Sequence, residues 1–291
     1  MLSLVLPKGS LEKATFDLFS RADLTVRRTS EVDYTASIDD PRVATVRILR
    51  PQEIPAYVEE GLFDLGVTGR DWIEETGASV VTLGELAYSK ATSSPIRVVL
   101  AVAADSSIEK VEDLQAGCRV ATEYPRLTQR FLSARGVQAE VRFSYGATEA
   151  KIPDIADAVV EITETGRALR AAGLRILDTI LVSSTELVAN RAAVADPEKR
   201  RAMGQLLTLL QGALEARDKV LLKLNVGEQE LAAVIGVLPS MKSPTLSKLF
   251  GESAYAVETV VPKADVNVLI PALKERGATD IIELALSKIV H

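Results

Sequence analysis

At 291 residues, 47% of them apolar, the chain exceeds one ordinary domain and can fill two or three cores. Its formal charge of −6, with Lys and Arg scattered along the chain, supplies no basic stripe for a nucleic-acid backbone, so any phosphates it meets belong to small substrates held by local cations. One cysteine, Cys118, excludes an intrachain disulfide, and the one histidine, His291, is the last residue, so no Ser-His-Asp triad, Cys-His pair or histidine-rich metal site can assemble within one chain.

The start, Met-Leu-Ser-Leu-Val-Leu-Pro-Lys-Gly, lacks a basic n-region, a long apolar h-region and a cleavage site, and no apolar run is long enough to span a membrane; a cytosolic protein is expected. Residues 2 to 6 read as an apolar strand, and Pro7-Lys8-Gly9-Ser10 turns it into a helix from Leu11 to Ala22. Lys8 therefore stands at a strand's carboxyl end, where open α/β sheets bind ligands. It suits an anionic substrate, or it is a solvated turn lysine. Val43 to Leu49 is a second strand, and Arg50 repeats the position of Lys8, with Pro51 disfavouring helix at Arg50. Pro55 to Gly61 reads as helix, Phe63 to Val67 as a buried strand, and Thr68-Gly69-Arg70-Asp71 as a further strand-to-helix loop. Three strand ends thus carry polar loops, which are expected to converge on one cleft.

A second lobe starts with the strand Ile96 to Ala103, followed by the strand Arg119 to Thr122, with Cys118 before it as a small buried hydrophobe. Thr128 to Arg135 is a helix, Ala139 to Phe143 a strand, and Gly146-Ala147-Thr148-Glu149 a polar loop. Glu149 is a sugar or base contact, or a solvated glutamate. The stretch Asp157 to Leu169, Asp-Ala-Val-Val-Glu-Ile-Thr-Glu-Thr-Gly-Arg-Ala-Leu, reads as strand, tight loop and helix start. Backbone N–H groups at a helix N-terminus, joined by Thr163 and Thr165 hydroxyls and the charge of Arg167, suit a phosphate. Glu161 beside them can accept from two vicinal sugar hydroxyls. Together they suggest a ribose 5-phosphate cradle; the alternative is a buried strand with a Thr-capped helix.

Leu174 to Leu177 and Ile180 to Val188 are strands, and the chain is expected to return to the first lobe between Ser183 and Asn190. Asp196-Pro197-Glu198 starts a long helix whose Met203, Leu206, Leu207, Leu210 and Leu214 form a packing stripe. The remainder reads as a compact βαββαβ module, with Pro271 expected to kink its second helix.

Taken in order, Leu-Pro-Lys-Gly at 6 to 9, Leu-Arg-Pro-Gln-Glu-Ile-Pro at 49 to 55, Gly-Leu-Phe-Asp-Leu-Gly-Val-Thr-Gly-Arg-Asp at 61 to 71, Glu-Ile-Thr-Glu-Thr-Gly-Arg-Ala-Leu at 161 to 169 and Leu-Pro-Ser-Met-Lys-Ser-Pro-Thr at 238 to 245 closely resemble ATP phosphoribosyltransferase, long form, the enzyme that opens histidine biosynthesis. Ser10, Ile155 and Ala168 depart from the family pattern, and Ala168 removes one hydroxyl from the phosphate loop. The resemblance implies an α/β fold: a two-lobed periplasmic-binding-protein-like catalytic body plus a C-terminal βαββαβ (ACT/ferredoxin-like) regulatory domain. Lobe I would span 1–93 with a return at about 183–211, lobe II 94–182, and the regulatory domain 212–291.

The implied reaction transfers 5-phosphoribosyl from phosphoribosyl pyrophosphate to N1 of ATP, with Mg2+ accompanying the pyrophosphate and no metal ligand from the protein. On that resemblance Lys8 and Arg50 meet the leaving pyrophosphate, Glu161 the ribose hydroxyls, and Thr163, Glu164, Thr165, Gly166, Arg167, Ala168 and Leu169 the 5-phosphate. Glu149 meets substrate ribose or adenine. Asn225, Met241 and Thr245 match a pocket for histidine as inhibitor, with Asn225 where some members carry Asp. Homo-oligomers, from dimers to hexamers, are implied. A bilobal small-molecule solute-binding protein would share the two-lobed architecture but leaves the phosphate loop without a purpose.

Overall fold

The computed structural model describes residues 1–88, 95–239 and 243–291. These form two compact units, Met1–Leu207 and Thr208–His291.

The first unit is built on two sheets. Strand β1 (Leu2–Pro7) feeds helix α1 (Glu12–Arg21); β2 (Val26–Arg27), β3 (Thr35–Ile38) and β4 (Val43–Leu49) follow. Helix α2 (Ile54–Glu59), strand β5 (Leu65–Gly69), helix α3 (Arg70–Thr76) and strand β6 (Val81–Leu86) complete this part. Among the described residues the sheet order is β2-β3-β4-β1-β5-β12-β6, where β12 is Thr185–Ala189. Strands β4, β1 and β5 are parallel, so their carboxyl ends share one edge. Leu2, Leu4, Leu6, Leu18, Phe19 and Ile48 are fully buried against this sheet.

The second lobe holds β7 (Ile96–Ala103), β8 (Cys118–Thr122), α4 (Pro125–Ala134), β9 (Ala139–Phe143), β10 (Ala158–Thr163), α5 (Arg167–Ala171) and β11 (Leu174–Ser183). Its sheet runs β11-β7-β10-β8-β9, with β9, β8 and β10 parallel. The chain passes from β6 to β7 and returns from β11 to β12. Two crossings between two α/β sheets give the two-lobed, periplasmic-binding-protein-like body that the motifs imply.

Several expectations shift. The strand expected at Phe63 to Val67 lies two residues later, because Asp64 is tied to the start of β1: its Oδ2 accepts from the Ser3 backbone N–H at 2.9 Å and its own N–H donates to Ser3 Oγ at 3.0 Å. No loop separates β5 from α3; Gly69 ends the strand and Arg70 opens the helix. The two strands expected at 174–177 and 180–188 divide elsewhere. Register shifts at Ile176/Asp178 and Thr179/Leu181 are bulges within one continuous β11, and the break falls at Ser184.

After α6 (Arg191–Ala195), helix α7 (Pro197–Glu215) carries the chain into the second unit, with Asp196 Oδ1 accepting from the backbone of Glu198 at 2.8 Å and Lys199 at 3.1 Å. There β13 (Lys219–Gly227), α8 (Leu231–Ile235), β14 (Thr245–Lys248), β15 (Ala254–Pro262), α9 (Val266–Glu275) and β16 (Thr279–Ala285) form a βαββαβ module ordered β14-β15-β13-β16. The alternation along β13 buries Val220, Leu222, Leu224 and Val226 with Val234, Leu269 and Leu273 of the two helices. Pro271 does not break α9. It forfeits one bond, to the carbonyl of Asn267, and both residues are exposed, which leaves the freed group on the solvent side of the helix.

Candidate functional site

The carboxyl ends of β1, β4 and β5 lead into a cavity of about 380 Å³, lined from the first lobe by Ser10, Gln52 and Gly69 and from the second by Glu123, Tyr124, Thr163 and Glu164. The expected convergence of strand-end loops is found, and the cavity lies where the crossing at Ser183 to Thr185 joins the lobes.

Lys8 and Arg50 extend neighbouring parallel strands. The Lys8 N–H donates to the Leu49 carbonyl at 2.7 Å, and Arg50 Nη1 would lie 3.8 Å from a Cβ placed on Gly9. The Lys8 ammonium, half-buried, sits 3.9 Å from the centroid of the Tyr34 ring, which holds it by a cation–π contact, whereas Arg50 is exposed. Both stand beside the cavity, while their neighbours Ser10, Pro51 and Gln52 form its wall.

Across the cleft, Glu161 is half-buried in β10 and its Oε1 accepts from the Ile162 N–H at 3.0 Å. Burial pushes its carboxyl above the usual glutamate range, and the charges of Glu123 and Glu149 push the same way. Glu149, exposed on the turn after β9, thus belongs to the same carboxylate neighbourhood. Glu123, at the end of β8, is a third member that the strand pattern did not single out. The register Val160↔Thr122 is the signal that would have found it, because it sets Glu161 and Glu123 side by side on parallel strands. Burial raises the Glu123 carboxyl as well, opposed by the charge of Lys151.

The loop after β10 is more closed than the sequence suggests. The buried Thr163 Oγ1 accepts from the Gly166 N–H at 2.7 Å, and Thr165 Oγ1 takes the Arg167 N–H at 3.4 Å, so two N–H groups expected to face outward are bonded within the loop. Gly166 has φ of 72°, and a Cβ there would come within 2.8 Å of Arg170 Nη1 and 3.3 Å of Ile176 Cδ1. Glycine is therefore required by the local fold before any ligand is considered. Thr165 and Arg167 are exposed, as is Ala168, but Leu169 is a core residue packed with Val99, Val159 and Leu174, and only its backbone is available to a ligand. Sequence reading also missed Arg170, whose Nη2 donates to the Thr165 carbonyl at 3.1 Å and brings a second guanidinium to the loop.

A buried polar cluster closes the inner end. Asp71, 2% exposed, accepts from Ser183 Oγ and from Tyr124 Oη, each at 2.7 Å, and its backbone N–H donates to Ser183 Oγ at 3.0 Å. Burial raises the Asp71 carboxyl in spite of these bonds. The Tyr124 phenol is pushed well above its ordinary value by burial and by Asp71. Burial, with Asp157 nearby, raises the Cys118 thiol, which suits an inert hydrophobe.

In the C-terminal unit, Asn225 on β13 and Thr245 on β14 lie on the same sheet face, two strands apart, with the Lys223–Glu258 ion pair (2.8 Å) on that face level with Thr245. Met241 lies outside the described residues. The Asn225 amide donates to Asp280 Oδ2 at 2.9 Å. At the position where some family members carry Asp, Asn225 therefore has a carboxylate partner on the adjoining strand.

Among the described residues no helix is long and apolar enough to cross a membrane. Residues 50–212 match the family described as ATP phosphoribosyltransferase, and residues 216–288 match the family described as HisG, C-terminal domain. The ATP phosphoribosyltransferase of Desulforudis audaxviator is 50% identical over 289 residues, 99% of each chain. That of Pelotomaculum thermopropionicum is 50% identical over 291 residues, again 99% of each. The solved ATP phosphoribosyl transferase (HisG:HisZ) complex from Thermotoga maritima aligns with a TM-score of 0.63 at 28% identity, over 74% of this chain and 99% of that one.

Proposed function

The chain belongs to the ATP phosphoribosyltransferase family, and from that premise we propose how its cleft carries out the reaction. The enzyme transfers 5-phosphoribosyl from phosphoribosyl pyrophosphate to N1 of ATP and releases pyrophosphate, the first step of histidine biosynthesis. The observation that supports the site assignment is one cavity walled on one side by Ser10, Pro51 and Gln52, the chain neighbours of Lys8 and Arg50, and on the other by Glu123, Ile162, Thr163 and Glu164, the last three directly following Glu161.

In this reading Lys8 and Arg50 bind the departing pyrophosphate. Glu161 accepts from the ribose hydroxyls and offsets the positive charge that develops on the sugar. Thr165, Arg167 and the loop backbone from Thr163 to Leu169, including Glu164, Gly166 and Ala168, hold the 5-phosphate. Glu149 meets substrate ribose or adenine. Adenine N1 is a neutral nucleophile, so no covalent protein intermediate is required. The N6 proton of the product adenine passes to water.

The family's reaction involves a metal ion, which we take to be Mg2+ carried by the substrate phosphates. No group of three or more His, Cys, Asp or Glu comes together to hold a metal among the described residues, and no step here runs through a protein-held ion. We further propose lobe I as 1–93 with a return at 183–211, lobe II as 94–182 and a regulatory domain of 212–291, a homo-oligomer between dimer and hexamer, and a cytoplasmic location. The regulatory domain would bind histidine through Asn225, Met241 and Thr245 and inhibit by favouring a different arrangement of domains or subunits.

Mixing the protein with ATP, phosphoribosyl pyrophosphate and Mg2+ and following the ultraviolet absorbance of N1-ribosylated adenine tests the reading. No absorbance change under conditions where both substrates bind would overturn it.

A further inference from the structure

Helix α3 belongs to the first lobe by chain order, yet it is built into both cores. Ile73 packs with Val5, Ile54, Val58 and Val188 of the first lobe. Its neighbour Trp72, 9% exposed, is a member of the second lobe's core, among Val98, Leu100, Val120 and Phe131, and its ring stacks on Tyr124 at 4.4 Å. Polar bonds follow the same path. Tyr124 Oη donates to Asp71 Oδ2 at 2.7 Å. Glu75, 8% exposed, accepts from the Arg126 N–H at 3.0 Å and the Leu127 N–H at 2.8 Å, so a carboxylate from one lobe caps the ten-residue helix α4 of the other. The Arg126 guanidinium returns a bond to the Thr76 carbonyl at 3.1 Å. Gly69, which leads into α3, admits no side chain, because a Cβ there would fall 2.1 Å from Asp71 Oδ1.

We propose that α3 is a fixed joint between the lobes, with Trp72 and Glu75 as positioning residues that set the spacing of the two cleft walls before any substrate arrives. Swinging the lobes apart would draw an indole out of a packed core. It would also strand a buried carboxylate and uncap two helix N–H groups, each of which is costly. The cationic strand ends of one lobe and the phosphate loop of the other are therefore held at a preset distance. Substrates enter a standing cleft rather than closing an open one, so binding energy is not spent on assembling the site. Preorganisation of this kind suits a reaction whose barrier is lowered by fixed charges.

The test is a distance measurement by pulsed electron resonance between spin labels at the exposed positions Asp17→Cys on α1 and Gln138→Cys before β9, in a Cys118→Ala background that removes the buried native thiol. The expected result is one narrow distance distribution in the ligand-free protein, unmoved by phosphoribosyl pyrophosphate with Mg2+. Trp72→Ala and Glu75→Ala should each broaden the ligand-free distribution and weaken phosphoribosyl pyrophosphate binding about tenfold, equivalent to about 1.4 kcal/mol. Turnover at saturating substrate should fall less, and Trp72→Phe should restore both readouts. Where Trp72→Ala does not fold, Glu75→Ala and Glu75→Gln give the same reading.

A wild-type distribution that contracts beyond its ligand-free width on adding ligand overturns the proposal, as does a variant that keeps both the narrow distribution and the affinity. The choice of ligand rests on the function proposed above. The ligand-free distances do not, so loss of the catalytic reading and loss of the joint are separately visible.

Discussion

Replacing Glu161 with glutamine should weaken catalysis and strengthen the fold at the same time. The Oε1 atom that receives the Ile162 N–H at 3.0 Å is preserved in the amide, so the local backbone is undisturbed. The other oxygen becomes an NH2 group, which cannot accept a hydroxyl proton. A hydrogen bond to a charged acceptor contributes about 1.5–3 kcal/mol, and its neutral counterpart about half as much. Losing one charged bond and weakening a second removes about 2–4 kcal/mol of transition-state stabilisation, a fall of about 30- to 1,000-fold in kcat/KM.

Stability moves the other way. Burial first, then the charges of Glu123 and Glu149, raise the Glu161 carboxyl in the folded protein. The folded state therefore binds this proton more tightly than the unfolded chain, and stability is lost as pH rises from the ordinary glutamate range through the raised value. Glu161→Gln removes that penalty. Its Tm should exceed the wild type's at neutral pH, and the difference should vanish as pH falls below the ordinary range. Steady-state kinetics and calorimetric melting across pH check both halves. An unchanged kcat/KM, or a variant less stable than wild type at neutral pH, refutes the assignment of a desolvated charge at this position.

Arg50→Lys keeps the charge but not the planar fork that grips a pyrophosphate, and the fall in kcat should exceed the rise in KM; equal turnover removes Arg50 from the site. Asp157 is gripped by Arg119 through its guanidinium at 2.7 Å and its backbone N–H at 2.8 Å, and the Arg119 side chain holds its carboxyl below the usual range. Its contribution is present above the ordinary aspartate range and lost as pH falls through the lowered value, so Asp157→Asn should destabilise at neutral pH and match wild type in acid; a difference that persists in acid would show another cause. Calorimetry should detect histidine binding to the whole enzyme and weaker binding to Asn225→Ala with Thr245→Ala. Asp280→Asn should weaken it too, since Asp280 is the carboxylate beside Asn225; no heat with wild type ends the effector reading.

What the sequence made legible follows from how local each signal is. Central strands buried along most of their length, such as 2 to 7 and 158 to 163, read as apolar runs, and the segments that follow them carry Ser10 and Leu11 on one side and Glu164 on the other to the wall of one cavity. The edge strand β2, two residues long, and β3, whose alternation Thr35-Ala36-Ser37-Ile38 covers only four residues, are too short for a period to stand out. Glu123 escaped because its meaning lies in a register with β10, which no single segment contains. Trp72 and Glu75 escaped for a related reason: on one helix they look like an apolar and a solvated residue, and only the neighbour across the lobe boundary gives each its role. The resemblance assigns Gly166 to the 5-phosphate, but its positive φ and the crowding by Arg170 and Ile176 demand glycine on local grounds, so Gly166→Val tests the fold rather than the ligand.

The distribution of charge explains why such a site can dispense with a histidine or a protein nucleophile. The proposed pyrophosphate contacts, Lys8 and Arg50, lie on the first lobe at the ends of β1 and β4, while Glu161, Glu123 and Glu149 lie on the second. As the bond to pyrophosphate stretches, negative charge moves toward the cations and the ribosyl carbon becomes electron-poor beside the carboxylates, so the fixed charges of both walls stabilise the same displacement. The charges of Glu123 and Glu149 oppose the ionisation of Glu161, a cost that a positive ribosyl centre relieves, which makes the interaction stronger in the transition state than in the ground state. That gain depends on the spacing between the walls, and the spacing rests on Trp72 in the far core and Glu75 on the far helix. Loosening α3 should therefore reduce the benefit of both charge sets together, and Glu75→Ala combined with Glu161→Gln should cost less than the sum of the two alone.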